Sequence, residues 1–433
     1  MSSDSALALP AIAARRAATG FWVVAFAFLI VMAFATLPSP LYGLYRARDD
    51  LSAFTITVVY AIFAGGTIAA LLSVPSIAAR IGRRGVMLAA VATMVASAGL
   101  LAAWKALPGL LLGRLLTGVA VGLAAGTAIT YLIELRVRQD PSASIVPARN
   151  IGTAVNVGAL GLGPLVAGCL AEWAGHPLTL PYLLFIVLGA IALIGLTTVP
   201  ETGAPGGGAP SPPSRPARIP APAAAAGLAA FAANGLYAGL AGLFLATTLG
   251  HPSHALAGAT LFLVFSAGVA AQLATGGMGA SRILALGTGS MLLGLVLLVT
   301  SVRVPSPSLA LFLIAGALIG AGAGAVFKGT TGLVLAAAPP EQRLVMTSQL
   351  LIALFVGISI PVIGAGVALD RGASAPDTVL GFAILVGLGV AAAGWALLGR
   401  RDHQRPARTA HLGRDDRAGM DHPARPPVDG GHT

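Results

Sequence analysis

Charge is scarce in this 433-residue sequence, where Asp, Glu, Lys and Arg together make up 9%. A water-soluble protein carries about 25% charged residues, so the polar surface that water requires is missing and a soluble enzyme is excluded. Cysteine occurs once, at Cys169 inside an apolar run, which excludes an internal disulfide and leaves a small packing residue. Lysine occurs only at Lys105 and Lys328. No carboxylate stands in the middle of a long apolar run; the nearest are Glu134, Glu172 and Asp370 at run ends, and no histidine stands there either. The runs therefore hold no acid–base pair, nucleophile cluster or set of metal ligands. A membrane-embedded enzyme finds no support, and no cofactor is expected.

Apolar sequence is what the chain has instead: 56% of it is hydrophobic and its mean hydropathy is +0.87. Twelve runs stand out, at about 20–41, 54–78, 85–105, 108–134, 149–172, 179–199, 223–248, 256–276, 282–303, 307–337, 345–369 and 378–399. A bilayer crossing takes about 20 apolar residues, and a backbone in lipid must satisfy its own hydrogen bonds. An all-α membrane protein is predicted, with twelve transmembrane helices in two six-helix bundles. The first run follows Arg15–Arg16 but is too long for the core of a cleaved export signal, so it reads as a retained span.

Arginine fixes the expected orientation. With the N-terminus in the cytoplasm, nineteen basic residues fall inside, among them Arg80, Arg83, Arg84, Arg136, Arg138 and seven in the C-terminal tail. Five fall outside: Arg46, Arg48, Lys105, Arg303 and Arg371. That asymmetry predicts both termini in the cytoplasm. It also accounts for the net charge of +11 better than nucleic-acid binding does. The expected organisation is an N-terminal tail over 1–19, a bundle over 20–202, a linker over 203–222, a bundle over 223–400 and a tail over 401–433. Gly206–Gly208 and Pro212–Pro213 make the linker a flexible strap, and the polar Arg/Pro-rich tail reads as disordered. Trp22, Trp104, Trp173 and Trp395 sit near run ends, the place of an interfacial belt. Abundant Ala and Arg suit a GC-rich bacterial genome, hence a multi-pass inner-membrane protein.

The two halves echo each other. The fourth run places Arg114, Gly118, Gly122 and Gly126 at four-residue steps, and the tenth places Gly316, Gly320, Gly324 and Lys328 likewise. Aligning Gly118 with Gly320 sets them in register, and small residues at that spacing let helices approach closely. The fifth run carries Gly163-Pro164 with Gly168, and the eleventh Pro361 with Gly364 and Gly366. Proline removes a backbone donor and bends a helix, so bends are expected in both halves.

At these motifs the sequence resembles the major facilitator superfamily, whose halves carry nested repeats. Between the second and third runs, Pro75-Ser76-Ile77-Ala78-Ala79-Arg80-Ile81-Gly82-Arg83-Arg84 is similar to the family's Gly-x-Leu-Ala-Asp-Arg-x-Gly-Arg-Arg/Lys loop. Pro75 and Ala79 replace its glycine and its acid. Glu134 is the nearest carboxylate left to partner Arg80 or Arg83. Arg114-Leu115-Leu116-Thr117-Gly118 resembles Arg-x-x-Gln-Gly, with Thr117 for the glutamine. Gly163-Pro164 with Gly168 resembles the signature of antiporters that export drugs and metabolites, although Asn150, Ala159 and Ala167 take usual glycine positions. Pro200-Glu201-Thr202 also has the family's look. The resemblance implies gating by Arg80, Gly82, Arg83, Arg84, Glu134, Gly163, Pro164, Gly168 and Pro361.

Only Arg114 and Lys328 carry full charge well within the runs. A central charge costs at least about 2.5–3.5 kcal/mol on insertion scales, so a functional role is the default. The resemblance makes the first, fourth, seventh and tenth spans the cavity wall. Its candidate substrate-binding residues are Met32, Thr36, Arg114, Asn234, Tyr237 and Lys328, with Phe28 alongside and Asn156, Gln272 and Gln349 on neighbouring spans. The expected protein is a monomeric secondary transporter in the lipid bilayer, exporting a small organic molecule by alternating access in exchange for protons. Proton coupling would use Glu134, the Asp49–Asp50 pair or Lys328. The alternatives are uptake of an organic anion clamped by Arg114, or a non-transporting scaffold or sensor.

Overall fold

The computed structural model describes residues 3–203, 218–339 and 342–402. Most of the linker and the tail beyond 402 lie outside the described residues. Every regular element among the described residues is helical. Helix α1 spans Ser3–Thr36 and starts well before its apolar run, because Ala6 to Ala18 is rich in alanine, the strongest helix former. Pro38 and Pro40 end it in a 3-10 turn at Ser39–Leu41, which leads into the short α2, Tyr42–Asp49. The others are α3 Ala53–Ala103, α4 Leu107–Gln139, α5 Val146–Trp173, α6 Leu180–Thr197, α7 Ala221–Thr247, α8 His254–Ala274, α9 Ala280–Arg303, α10 Leu309–Ala337, α11 Arg343–Asp370 and α12 Ala375–Asp402.

Among the described residues, eleven continuous helical stretches are long and apolar enough to cross a membrane. One of them, α3, has 51 residues. At 1.5 Å per residue that is about 77 Å, more than twice the roughly 30 Å of a hydrocarbon core. Its backbone leaves the helix at Gly82, with φ 74° and ψ 177°, so two helices join there across a kink. The second and third apolar runs are the two arms.

Helices α1 and α3–α6 pack on one another, as do α7–α12; the two sets meet chiefly where α5 crosses α8 and α11 crosses α3. Glycines set these contacts, and they do so in matched pairs. A Cβ on Gly118 or Gly122 of α4 would strike the carbonyls of Phe63 or Thr67 on α3. One on Gly320 or Gly324 of α10 would strike those of Val264 or Gly268 on α8. The register read from the glycine stripes is therefore repeated by their backbone partners. Between the sets, Gly168 of α5 abuts His254 of α8, and Gly366 of α11 abuts Phe54 and Thr57 of α3. Both contacts lie far from the Gly82 kink, so the sets are packed shut at that end. The kink, Glu134 and Glu201 share the arginine-rich end.

Candidate functional site

At the arginine-rich end one carboxylate organises the kink in α3. Glu201, just past α6, accepts the backbone N–H groups of Arg83 at 2.8 Å and Arg84 at 3.0 Å. It also accepts those of Thr202 and Gly203, each at 3.0 Å. The second arm of α3 begins at Arg83, so Glu201 supplies partners for donors that a helix start leaves unmet and a charge that its dipole favours. A Cβ on Gly82 would collide with that carboxylate, and the φ of 74° already favours glycine. Around it, Arg83 Nε stands 3.5 Å from Glu134, an ion-pair contact without hydrogen-bond geometry. Thr202 donates to Glu134 at 2.6 Å, and Arg138 donates to the Glu201 carbonyl at 2.6 Å. All these groups belong to α3, α4 and the strand of chain after α6, so the cluster stiffens the first helix set from within. Arg80 is exposed and stands apart from it.

The carboxylate at this loop thus comes from Glu201, 122 positions beyond Ala79, where the resembled loop carries its acid. Replacing Glu201 by alanine leaves the turn's N–H groups unmet, which costs about 1–3 kcal/mol. The expected result is a fall of several degrees in the apparent midpoint of heat-induced unfolding in detergent, matched by Gly82→Ala. An unchanged midpoint in both variants would refute the anchoring role.

A second locus lies mid-molecule, where the two helix sets face each other. A cavity of about 60 Å³ is enclosed by Met32, Thr36, Tyr60, Phe63, Asn156, Phe231, Phe265, Phe327, Phe355 and aliphatic neighbours. Eight helices contribute: α1, α3, α4 and α5 on one side, α7, α8, α10 and α11 on the other. Phe63 and Phe355 close it across the two sets, ring to ring at 6.0 Å, and Phe231 meets Phe327 at 5.8 Å. Pockets that hold small molecules run to roughly 300–1,000 Å³, so the cavity is contracted in this conformation. Its polar groups are few. Thr36 donates to the Leu160 carbonyl at 2.6 Å, whereas Asn156 Oδ1 is buried without a partner.

Arg114 stands one layer behind this wall. It is 1% exposed and donates from Nη1 to the Ala35 carbonyl at 2.6 Å. Its guanidinium carbon lies 4.8 Å from the Phe63 ring centre and 5.9 Å from that of Tyr60. Ala35, Tyr60 and Phe63 all line the cavity. Ring faces attract a cation, yet Nε and Nη2 are buried with no hydrogen-bond partner. A buried charge left in that state is costly. Chemically, the cluster can receive an anionic or strongly hydrogen-bond-accepting group once the wall parts.

The other residues picked out from the sequence are placed elsewhere. Tyr237 donates to the Phe312 carbonyl at 2.9 Å and stacks on that ring at 5.0 Å, tying α7 to α10. Lys328 turns from the cavity towards α8, donating to the Gln272 carbonyl and, at 3.2 Å, to the Thr275 hydroxyl. Asn234 is buried in α7 with Oδ1 unpartnered, outside the cavity wall. Thr117, which replaces the resembled glutamine, meets the Ser97 hydroxyl at 2.9 Å and the Gly113 carbonyl at 2.8 Å, fixing α4 to α3. Gly163 packs its α-carbon on the Ala33 carbonyl, and the Pro164 carbonyl receives Gly258. Pro164 and Pro361 both lie inside their helices. Tyr60, Phe63, Phe355 and the anchoring role of Glu201 escaped the sequence reading. The aromatics carry no local signal there, while Pro200-Glu201-Thr202 did mark a residue of interest.

The family model described as sugar (and other) transporter matches residues 17–203. A search of curated proteins finds no match. Among solved structures, a variant of the nucleoside transporter NupG superposes with a TM-score of 0.67 at 12% identity, covering 88% of this chain and 99% of that one. At such identity the likeness is one of fold. The matched stretch includes the Gly82 turn with its arginines, and the described residues form an all-helical body of long apolar helices. Residues 17–203 are thus similar to a family of membrane transporters, and the chain as a whole shares the fold of a solved one.

Proposed function

We propose that the chain exports a small organic molecule across a bacterial inner membrane by alternating access, in exchange for protons. In this reading α1, the two arms of α3 and α4–α12 make twelve crossings, arranged as bundles over 20–202 and 223–400 joined by the linker at 203–222. Both termini face the cytoplasm, as the arginine asymmetry favours, and the monomer is the working unit. The observation that carries the reading is the aromatic cavity between the two helix sets, with Arg114 behind its wall. Such a wall suits a substrate with an apolar or aromatic body and one acceptor group. Met32, Thr36, Tyr60 and Phe63 hold the body and Arg114 the acceptor. Gly163, Pro164, Gly168 and Pro361 let the helices rock, while Arg80, Gly82, Arg83, Arg84 and Glu134 keep the cytoplasmic end in order. Glu134 and the Asp49–Asp50 pair are the carboxylates available to carry protons.

Uptake of an organic anion is the second reading, favoured by the two unpartnered nitrogens of Arg114. Reconstituted vesicles with an imposed pH gradient separate the two. Export predicts substrate movement against proton flow, abolished when the gradient is collapsed by an ionophore. Substrate movement that ignores the gradient would refute antiport, and movement only inwards would select the uptake reading.

A further inference from the structure

Beside the transport path, the cleft between the arginine-rich ends of α1 and α6 has a chemistry of its own. Arg15, Arg16 and Arg84 open into one concavity of about 610 Å³, together with Thr19, Thr197 and Thr198. Arg15, Arg16 and Thr19 are exposed. Among the described residues no carboxylate forms an ion pair with any of the three arginines. Glu201, which follows the cleft residue Pro200, is committed to the backbone of Arg83 and Arg84. Arg84 reaches the Thr197 and Val199 carbonyls at 3.4 and 3.3 Å through Nη1 alone. Among the described residues the cleft is therefore rich in donors, with no carboxylate paired to its arginines.

Two apolar stripes lead away from it into the membrane. On α1, Thr19 is followed on the same face by Trp22, Phe26 and Leu29, at steps of three or four residues, with Trp22 65% exposed. On α6, Thr198 gives way to Ile194, Ile191 and Val187, with Ile194 70% exposed. The helices run antiparallel and touch where Gly20 meets Val199 and Gly195 meets Val23, so the stripes lie side by side. Arginines that only set topology need neither a concavity nor a flanking apolar track. We propose that this cleft binds the phosphate of an anionic phospholipid, whose acyl chains lie along the α1 and α6 stripes. A free phosphate shares the headgroup chemistry but has no use for the stripes.

The test uses the full chain purified in mixed micelles, with phosphatidylglycerol or phosphatidylcholine added and retained lipid counted by native mass spectrometry. Wild type is expected to hold phosphatidylglycerol in preference to phosphatidylcholine. Each basic residue near a charged membrane surface contributes about 1 kcal/mol, or roughly fivefold, so Arg15→Gln with Arg16→Gln lowers that retention by about thirtyfold. Thr19→Glu, a single exposed change that sets a carboxylate one turn from Arg15, lowers it too and serves should the double variant fail to fold. Inorganic phosphate at millimolar concentration forms the third arm. Equal retention of both lipids, or equal retention of phosphatidylglycerol by wild type and both variants, overturns the proposal. Phosphate that displaces the lipid completely at that concentration overturns the acyl-chain part and leaves a phosphate site.

Discussion

Arg114→Ala abolishes transport and leaves the protein at least as stable as before. Removing a charge that a buried partner group relies on costs about 3–5 kcal/mol, which lowers substrate binding by roughly two to three and a half orders of magnitude at about 1.4 kcal/mol per tenfold. The stability expectation runs the other way for a physical reason. The guanidinium is buried beside the Phe63 and Tyr60 rings, its Nη1 donates to the Ala35 carbonyl, and Nε and Nη2 have no hydrogen-bond partner. Deleting an uncompensated buried charge relieves the fold rather than harming it. Arg114→Lys keeps the charge but not the planar fork, so partial transport is expected, with weaker binding. The paired measurement is substrate binding and thermal midpoint for each variant. Equal transport by Ala and Lys variants would dismiss the anion-recognition role. A sharp fall in the midpoint of Arg114→Ala would make the arginine a structural strut.

The second large effect concerns folding. Gly118→Val and Gly320→Val each drive a side chain into the backbone carbonyl of a neighbouring helix, that of Phe63 and of Val264 respectively. Overpacking costs about 1–3 kcal/mol when side chains can yield, and a helix backbone yields less. Little monodisperse protein is expected from either variant in size-exclusion chromatography. Gly99→Val and Gly381→Val serve as controls, because a Cβ at those positions meets nothing within 4 Å. The controls should express at wild-type level. Normal yields of both stripe variants would remove the close-packing argument, and collapse of only one would break the equivalence of the halves.

That equivalence was legible in the glycine spacing, since a stripe of small residues records where a neighbour must approach. It was confirmed in kind by the partners: a carbonyl on α3 for one stripe and a carbonyl on α8 for the other. The break between the second and third runs was legible too, because Gly82 sits between two apolar stretches each long enough to span. The candidate site was legible only in part. Met32, Thr36 and Asn156 do reach the central cavity, and Arg114 stands behind it. Tyr237 and Lys328 were chosen for their type and depth, but they bond to neighbouring helices instead. A polar group in lipid takes the nearest acceptor, and which acceptor is nearest depends on how the helices rotate.

The sequence by itself determined the long apolar helices, the prolines inside two of them and the distribution of charge between the two ends. These are local matters: a backbone in hydrocarbon pairs with itself within four residues, and arginine resists the bilayer one residue at a time. Tertiary structure alone decided that Glu201 closes a turn 117 to 118 residues away, that Arg114 keeps two nitrogens free, and that six aromatic rings from both halves contract around one cavity. Each of these joins helices far apart in the chain, and the choice of partner is fixed by packing, which no single helix carries.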